Sequence, residues 1–340
     1  MANFLRIYIK TLAFFASILT LLFLTSLIFT YYEKSDQSNF VLFNGDKDSS
    51  NIIAIIDIDG LIIEVDDDFS RISNRRIISP TLIRNYLIEL EKISPDVIIF
   101  SINSPGGTVS ASKEIYDLIN NFKTNHNIEV YFHTNELLAS GSYWAAIAGD
   151  KIFANYGAII GSIGARGPDW FFYDEPKSIS MGLFGSEIET KKSIKVYTNT
   201  SGKSKDLLNP FRKPSDVEIA HLEKMVNEIY YDFVRTVSKE RKIEDQIIID
   251  NIGALIYTSK SALQNHLIDE ISTLDNLIKK IINKKNFTNH KIIKNLEQDT
   301  SLLREVLTSL NSKFNLNANR ECLILRSSIS VVLNYQSTGC

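Results

Sequence analysis

A serine hydroxyl attacks a carbonyl only when a neighbour takes its proton and something stabilises the oxygen anion that forms. Three short stretches carry residue types suited to those tasks. ASGSYWAA, residues 139–146, sets Ser140 between Ala139 and Gly141 at the threshold of an apolar helix. A helix start favours negative charge, and the small neighbours let a peptide backbone come close. The everyday role for a serine in that place is an N-cap. SINSPGG, residues 101–107, ends a strand on a Pro-Gly-Gly turn. There backbone N–H groups can face a cavity without side chains in the way, which suits an oxyanion or a phosphate. The stretch is neither a GxxxxGK(S/T) loop nor a GxGxxG fingerprint, so ATP and dinucleotides are not indicated. SGKSKDLLNPFRKP, residues 201–214, offers Lys203 and Lys205. A lysine works as a general base only when burial lowers its pKa from about 10 toward neutrality. Two surface lysines are the plain alternative, and in extended backbone both side chains point the same way, so spacing does not choose between them.

The histidines are His126, His133, His221, His266 and His290. None sits in a loop where a serine's base is first sought; His133 closely follows strand residues and His221 lies among Glu218, Glu223 and Lys224 of an amphipathic helix. There is no HExxH and no cysteine pair at ligand spacing, so no metal and no cofactor is expected. Cys322 and Cys340 lie near and at the C-terminus, and no core feature depends on their pairing.

Elements able to hold these groups are legible around them. NIIAIIDIDGLII (51–63) reads as a buried strand and turn, DVIIFSI (96–102) as a second strand, Ile128–His133 as a third and Lys151–Ala154 as a fourth. Pro80 opens a helix over 81–92, and ASKEIYDLINNF (111–122) is a helix with one apolar face. Strands alternating with such helices predict an α/β fold with a parallel sheet and crossover helices. Residues 215–242 predict a long helix with the stripe Val217, Ile219, Leu222, Met225, Val226, Ile229, Phe233 and Val237. A further helix covers Leu274–Ile282, and ISVVL near the C-terminus reads as a strand.

The chain has 340 residues, 44% hydrophobic, with a net charge of −3, which excludes generic disorder and offers no basic field for nucleic acid. Thr11–Tyr32 carries no charge over 22 residues, long enough to span a bilayer, and is preceded by Arg6 and Lys10. It is longer than the apolar part of a cleaved signal peptide, so a retained anchor is expected, with the rest of the chain on the far side of the membrane. From Lys279 to Lys294 there are six lysines and no acid, a solvated face or a contact for anionic lipid.

Together with GSIGA at 161–165 and IYTSKSALQNHLIDEI at 256–271, the three stretches resemble the signal peptide peptidase A family, in family order over about residues 50–285. These are membrane-anchored bacterial serine proteases of the ClpP/crotonase-type fold. The resemblance implies Ser140 as nucleophile and Lys205 as general base, because the family's lysine stands two residues before Leu207. It implies Gly107 as oxyanion donor, helped by Gly141. It further implies peptide substrates such as cleaved signal peptides, a homo-oligomer, and a bacterial inner-membrane protein with a periplasmic catalytic domain. The domains expected are an anchor (1–34), a linker (35–51), a peptidase domain (52–285) and a C-terminal extension (286–340). The chain departs from the family at Ser142, where a second glycine is usual, adding bulk beside the nucleophile. Residues 168–192 also look like an insertion. The alternative function is a non-catalytic scaffold of the same fold at the membrane. A crotonase-like enzyme acting on acyl-CoA shares the backbone oxyanion hole but leaves the serine, the lysine and the anchor unexplained.

Overall fold

The computed structural model describes residues 2–35, 38–64, 76–172, 180–182, 185–187, 201–296 and 330–332. The first unit, residues 1–41, is built on helix α1 (Ala2–Ser35). Within it Arg6–Thr25 forms an exposed span of 20 residues with mean hydropathy 2.1, long and apolar enough to cross a membrane.

β1 (Phe40–Gly45) spans the boundary, and the second unit, residues 42–340, continues with β2 (Ile52–Asp59), β3 (Leu61–Ile62), β4 (Ile77–Ile78) and α2 (Pro80–Ile93). Then come β5 (Val97–Asn103), β6 (Gly106–Thr108), α3 (Val109–His126), β7 (Glu129–Thr134), β8 (Leu137–Ala139) and α4 (Gly141–Ala146). They are followed by β9 (Lys151–Ala154), β10 (Ile159–Gly161), α5 (Asp216–Arg241), β11 (Ile256–Thr258) and α6 (Ser259–Gln264). The last are β12 (Glu270–Ile271), α7 (Leu274–Lys285), β13 (Lys291–Asn295) and β14 (Ser330–Val332).

The main sheet has the order β1-β13-β2-β5-β7-β9-β12, and the pairs from β13 to β12 are parallel. Parallel neighbours need crossovers, which α2 and α3 supply. Both faces are covered, so β2 and β5 read as near-continuous runs of buried Ile, Val and Phe. Leu277, Ile278 and Ile281 of α7 pack with Ile53, Ile55, Val97, Ile99 and Phe153. Phe100 stacks on Phe132 at 5.0 Å between centroids. Helix boundaries follow local chemistry. The Ser79 hydroxyl accepts from Leu82 N–H with Pro80 in the first turn, and Ser215 with Glu218 forms a capping box on α5.

Two segments expected outside the domain pair into this sheet. Residues 35–51, expected to be a linker, contain β1 at the sheet edge, and the expected extension contributes β13 beside β2. Asn295 seals the latter pairing, its Oδ1 accepting from Asp57 N–H at 2.7 Å. On α5 the expected stripe is buried only toward its C-terminal end, at Phe233 and Val237, joined there by Val234; Val217 and Ile219 are 65% and 42% exposed. The lysine run is largely paired: Lys284 and Lys285 with Glu129, Lys280 with Glu270, and Lys294 with Asp57. That favours a solvated, ion-paired face over a lipid contact. Cys322, Cys340 and most of 173–200 lie outside the described residues.

Candidate functional site

A smaller sheet, β11-β10-β8, delivers the serine. β8 runs parallel to β10 with Ala139 opposite Gly161, and Ser140 N–H donates to Gly161 O at 2.7 Å. The chain then turns sharply into α4. Ser140 has φ 59 and ψ −122, a backbone state that costs a non-glycine residue on the order of 1–3 kcal/mol. It occupies the N-cap position, is 1% exposed, and makes no side-chain cap bond. The capping role is therefore not the one Ser140 performs. Strain that brings no cap is held in place by the Gly161 bond and by Trp144 N–H donating to Ser140 O at 3.0 Å. Trp144 lies flat on Phe233 of α5, with centroids 4.3 Å apart.

β6, which carries Gly107, forms a second small sheet in the order β14-β6-β3-β4. A Cβ on Gly107 would lie 1.6 Å from Ile62 O, so only glycine allows β6 to approach β3 this closely. Gly106 has φ +95, the left-handed state that the turn requires. The other edge of β6 pairs antiparallel with β14, Val331 opposite Gly107. The turn and the serine strand are joined directly: Ser104 N–H donates to Leu137 O at 2.8 Å, and Ala139 N–H to Ser104 O at 3.3 Å. Ser142 does not crowd the nucleophile. It is fully buried, and its hydroxyl reaches back, accepting from Ala139 N–H at 2.9 Å and lying 2.7 Å from Ser104 O.

Among the described residues no hydrogen bond joins Lys205 to Ser140. Lys205 and Lys203 are exposed, against the expectation of a buried base. Their turn is fixed to the start of α5. Arg212 donates to both carboxylate oxygens of Asp206, at 2.7 and 2.9 Å, and to both of Glu218, at 2.7 and 2.9 Å. The guanidinium holds the Asp206 and Glu218 carboxyls below their usual range. Arg212 also lies over Trp170, 5.3 Å from the ring centroid, and Trp170 Nε1 donates to Asn209 O at 3.1 Å. Fifteen residues of helix separate Glu218 from Phe233, where α5 meets α4, roughly 22 Å at 1.5 Å per residue.

His133 is wholly buried in β7 with Nε2 3.0 Å from Ser272 O, and burial lowers its pKa. Among the described residues no histidine bonds Ser140, and no group of His, Cys, Asp and Glu could hold a metal. Sequence reasoning missed Ser104, Arg212 and the inward role of Ser142. Only the alternation of Arg212 with Asp206 and Glu218, six residues to either side, hinted at the clamp.

The sequence pattern defining "Peptidase family S49" matches residues 123–288, and that of "Clp protease" matches residues 71–134. A Methanocaldococcus jannaschii protein named as a candidate protease is 32% identical over 64% of this chain and 66% of its own length. An Enterococcus faecium protein named as a candidate signal peptide peptidase is 29% identical over 62% of this chain and 58% of its own. Protease 4 of Haemophilus influenzae is 27% identical over 68% of this chain and 34% of its own. The chain thus spans 58–66% of the length of the first two relatives.

Proposed function

We propose that this chain, which belongs to peptidase family S49, is a membrane-anchored serine endopeptidase that hydrolyses peptide bonds of cleaved signal peptides or other membrane-associated peptides. The observation that carries the reading is Ser140: buried, held at φ 59 at the start of an apolar helix, and capping nothing. In the proposed reaction the Lys205 amine takes the Ser140 proton while Oγ attacks the substrate carbonyl. The N–H of Gly107, with that of Gly141 beside it, stabilises the tetrahedral oxygen. Lys205 then protonates the leaving amine, and water, deprotonated by the same lysine, releases the acyl group. No metal or cofactor enters the scheme.

The exposure of Lys205 supports a dyad completed between copies, in which a neighbour's lysine turn covers Ser140 and loses its water. The exposed Val217 and Ile219 of α5, with Phe171 and Phe172 of the insertion, support a homo-oligomer. The α1 anchor, with Arg6 and Lys10 at its N-terminal end, supports an inner-membrane protein whose catalytic domain faces the periplasm.

Peptide hydrolysis by detergent-solubilised variants tests this reading. Ser140→Ala and Lys205→Ala should each be inactive and Lys203→Ala active. Co-assembly of the two inactive variants should restore part of the activity. Full activity of Lys205→Ala would remove that residue as base, and failure of the mixture to recover would place the dyad within one chain.

A further inference from the structure

We propose that Ser142 is a positioning residue that locks the oxyanion turn to the nucleophile strand; the inference rests on the Ser140 and Gly107 reading above. Ser142 stands one residue past Gly141 in α4, and its hydroxyl turns away from Ser140 toward the loop before Gly107. It accepts from Ala139 N–H at 2.9 Å, immediately before the nucleophile. Its Oγ lies 2.7 Å from Ser104 O and 2.8 Å from Ala139 O, the two carbonyls that share its single proton. Ser104 in turn holds the turn from inside, its own hydroxyl accepting from Gly106 N–H at 3.1 Å. One continuous buried chain of bonds therefore runs from Gly106, beside the oxyanion donor, through Ser104 and Ser142 to Ala139, beside the nucleophile.

Ser104 and Ser142 are both fully buried, so no water substitutes for a lost partner. Without the Ser142 hydroxyl, Ala139 N–H keeps only its 3.3 Å bond to Ser104 O, and that carbonyl loses its closest donor. The two halves of the site are then free to drift apart, and a misplacement of about 1 Å can cost about 100-fold in rate.

The test uses the full chain in detergent and four readings: kcat, KM, the fraction of Ser140 titrated by a fluorophosphonate, and the affinity for a peptide boronate that mimics the tetrahedral state. For Ser142→Ala we expect kcat and boronate affinity to fall together by about 10- to 100-fold, with KM within about twofold and the titrated fraction unchanged. Ser142→Thr, which keeps the hydroxyl, should recover most of kcat. Wild-type kcat and boronate affinity in Ser142→Ala would overturn the proposal. So would a loss matched entirely by a smaller titrated fraction, which marks structural support alone. A wild type that neither cleaves peptides nor labels at Ser140 would overturn the peptidase reading itself, and this proposal with it.

Discussion

Gly107→Ala drives a methyl group from the proposed oxyanion strand into the backbone of β3. The new Cβ would meet Ile62 O at 1.6 Å, Ile62 C at 2.4 Å and Ile62 Cα at 2.8 Å, all backbone atoms that no rotamer change can move. Side-chain Cβ atoms essentially never come within 3.0 Å of another heavy atom, so β6 and β3 must part by about 1.4 Å. Overpacking of that kind costs about 1–3 kcal/mol of stability. Because the displaced strand carries the N–H aimed at the tetrahedral oxygen, kcat should fall by about 100-fold or more. Thermal unfolding and steady-state peptide hydrolysis on the same preparation separate the two effects. Gly157→Ala is the control: it has φ +87 but open space around it, so it should lose about 1–2 kcal/mol of stability and no activity. Wild-type kcat in folded Gly107→Ala would refute the reasoning that this strand supplies the oxyanion donor.

Glu129 is drawn upward in pKa by burial, but bonds from Lys284, Tyr131 and Lys285 outweigh that and leave it at about 2. A carboxyl more acidic folded than unfolded stabilises above its ordinary value of 4.5 and loses that contribution as pH falls toward 2, so Glu129→Gln should lower stability at pH 7 and flatten its decline across that window in urea titrations. If the Glu129→Gln and wild-type curves run parallel, the pairing is inert. β14 occupies the edge of β6 that β3 leaves open, and an extended peptide reaching Gly107 by strand addition needs that edge. A chain ending at residue 329 should therefore show a several-fold higher kcat/KM for peptides, and an unchanged value would mean that substrate approaches by another path.

What the sequence disclosed were features set by local chemistry. Pro80 behind a serine cap, the Ser215–Glu218 box and the Ile-Val runs of β2 and β5 each declare themselves within a few residues. β13 escaped because KIIKN is short, follows a lysine-rich helix, and is a strand only by pairing with β2 some 240 residues away. The stripe on α5 was visible, yet how much of it is covered depends on where α4 places Trp144. At the candidate site, a small-Ser-small step and a Pro-Gly-Gly turn are conspicuous, while the roles proposed for Gly107 and Lys205 came from the family resemblance. Ser142 was misread as bulk, since its partner Ser104 lies 38 residues earlier. The exposure of Lys205 was hidden for the opposite reason: the Arg212 clamp fixes its turn by contacts that spacing alone does not weigh.

The most direct test is to treat the purified full chain with a fluorophosphonate and map the adduct by mass spectrometry, alongside peptide hydrolysis. One modified residue, Ser140, is expected, with hydrolysis lost in step with labelling, no adduct in Ser140→Ala, and strongly slowed labelling in Lys205→Ala. Wild-type hydrolysis by folded Ser140→Ala, free of host peptidases, would contradict that expectation.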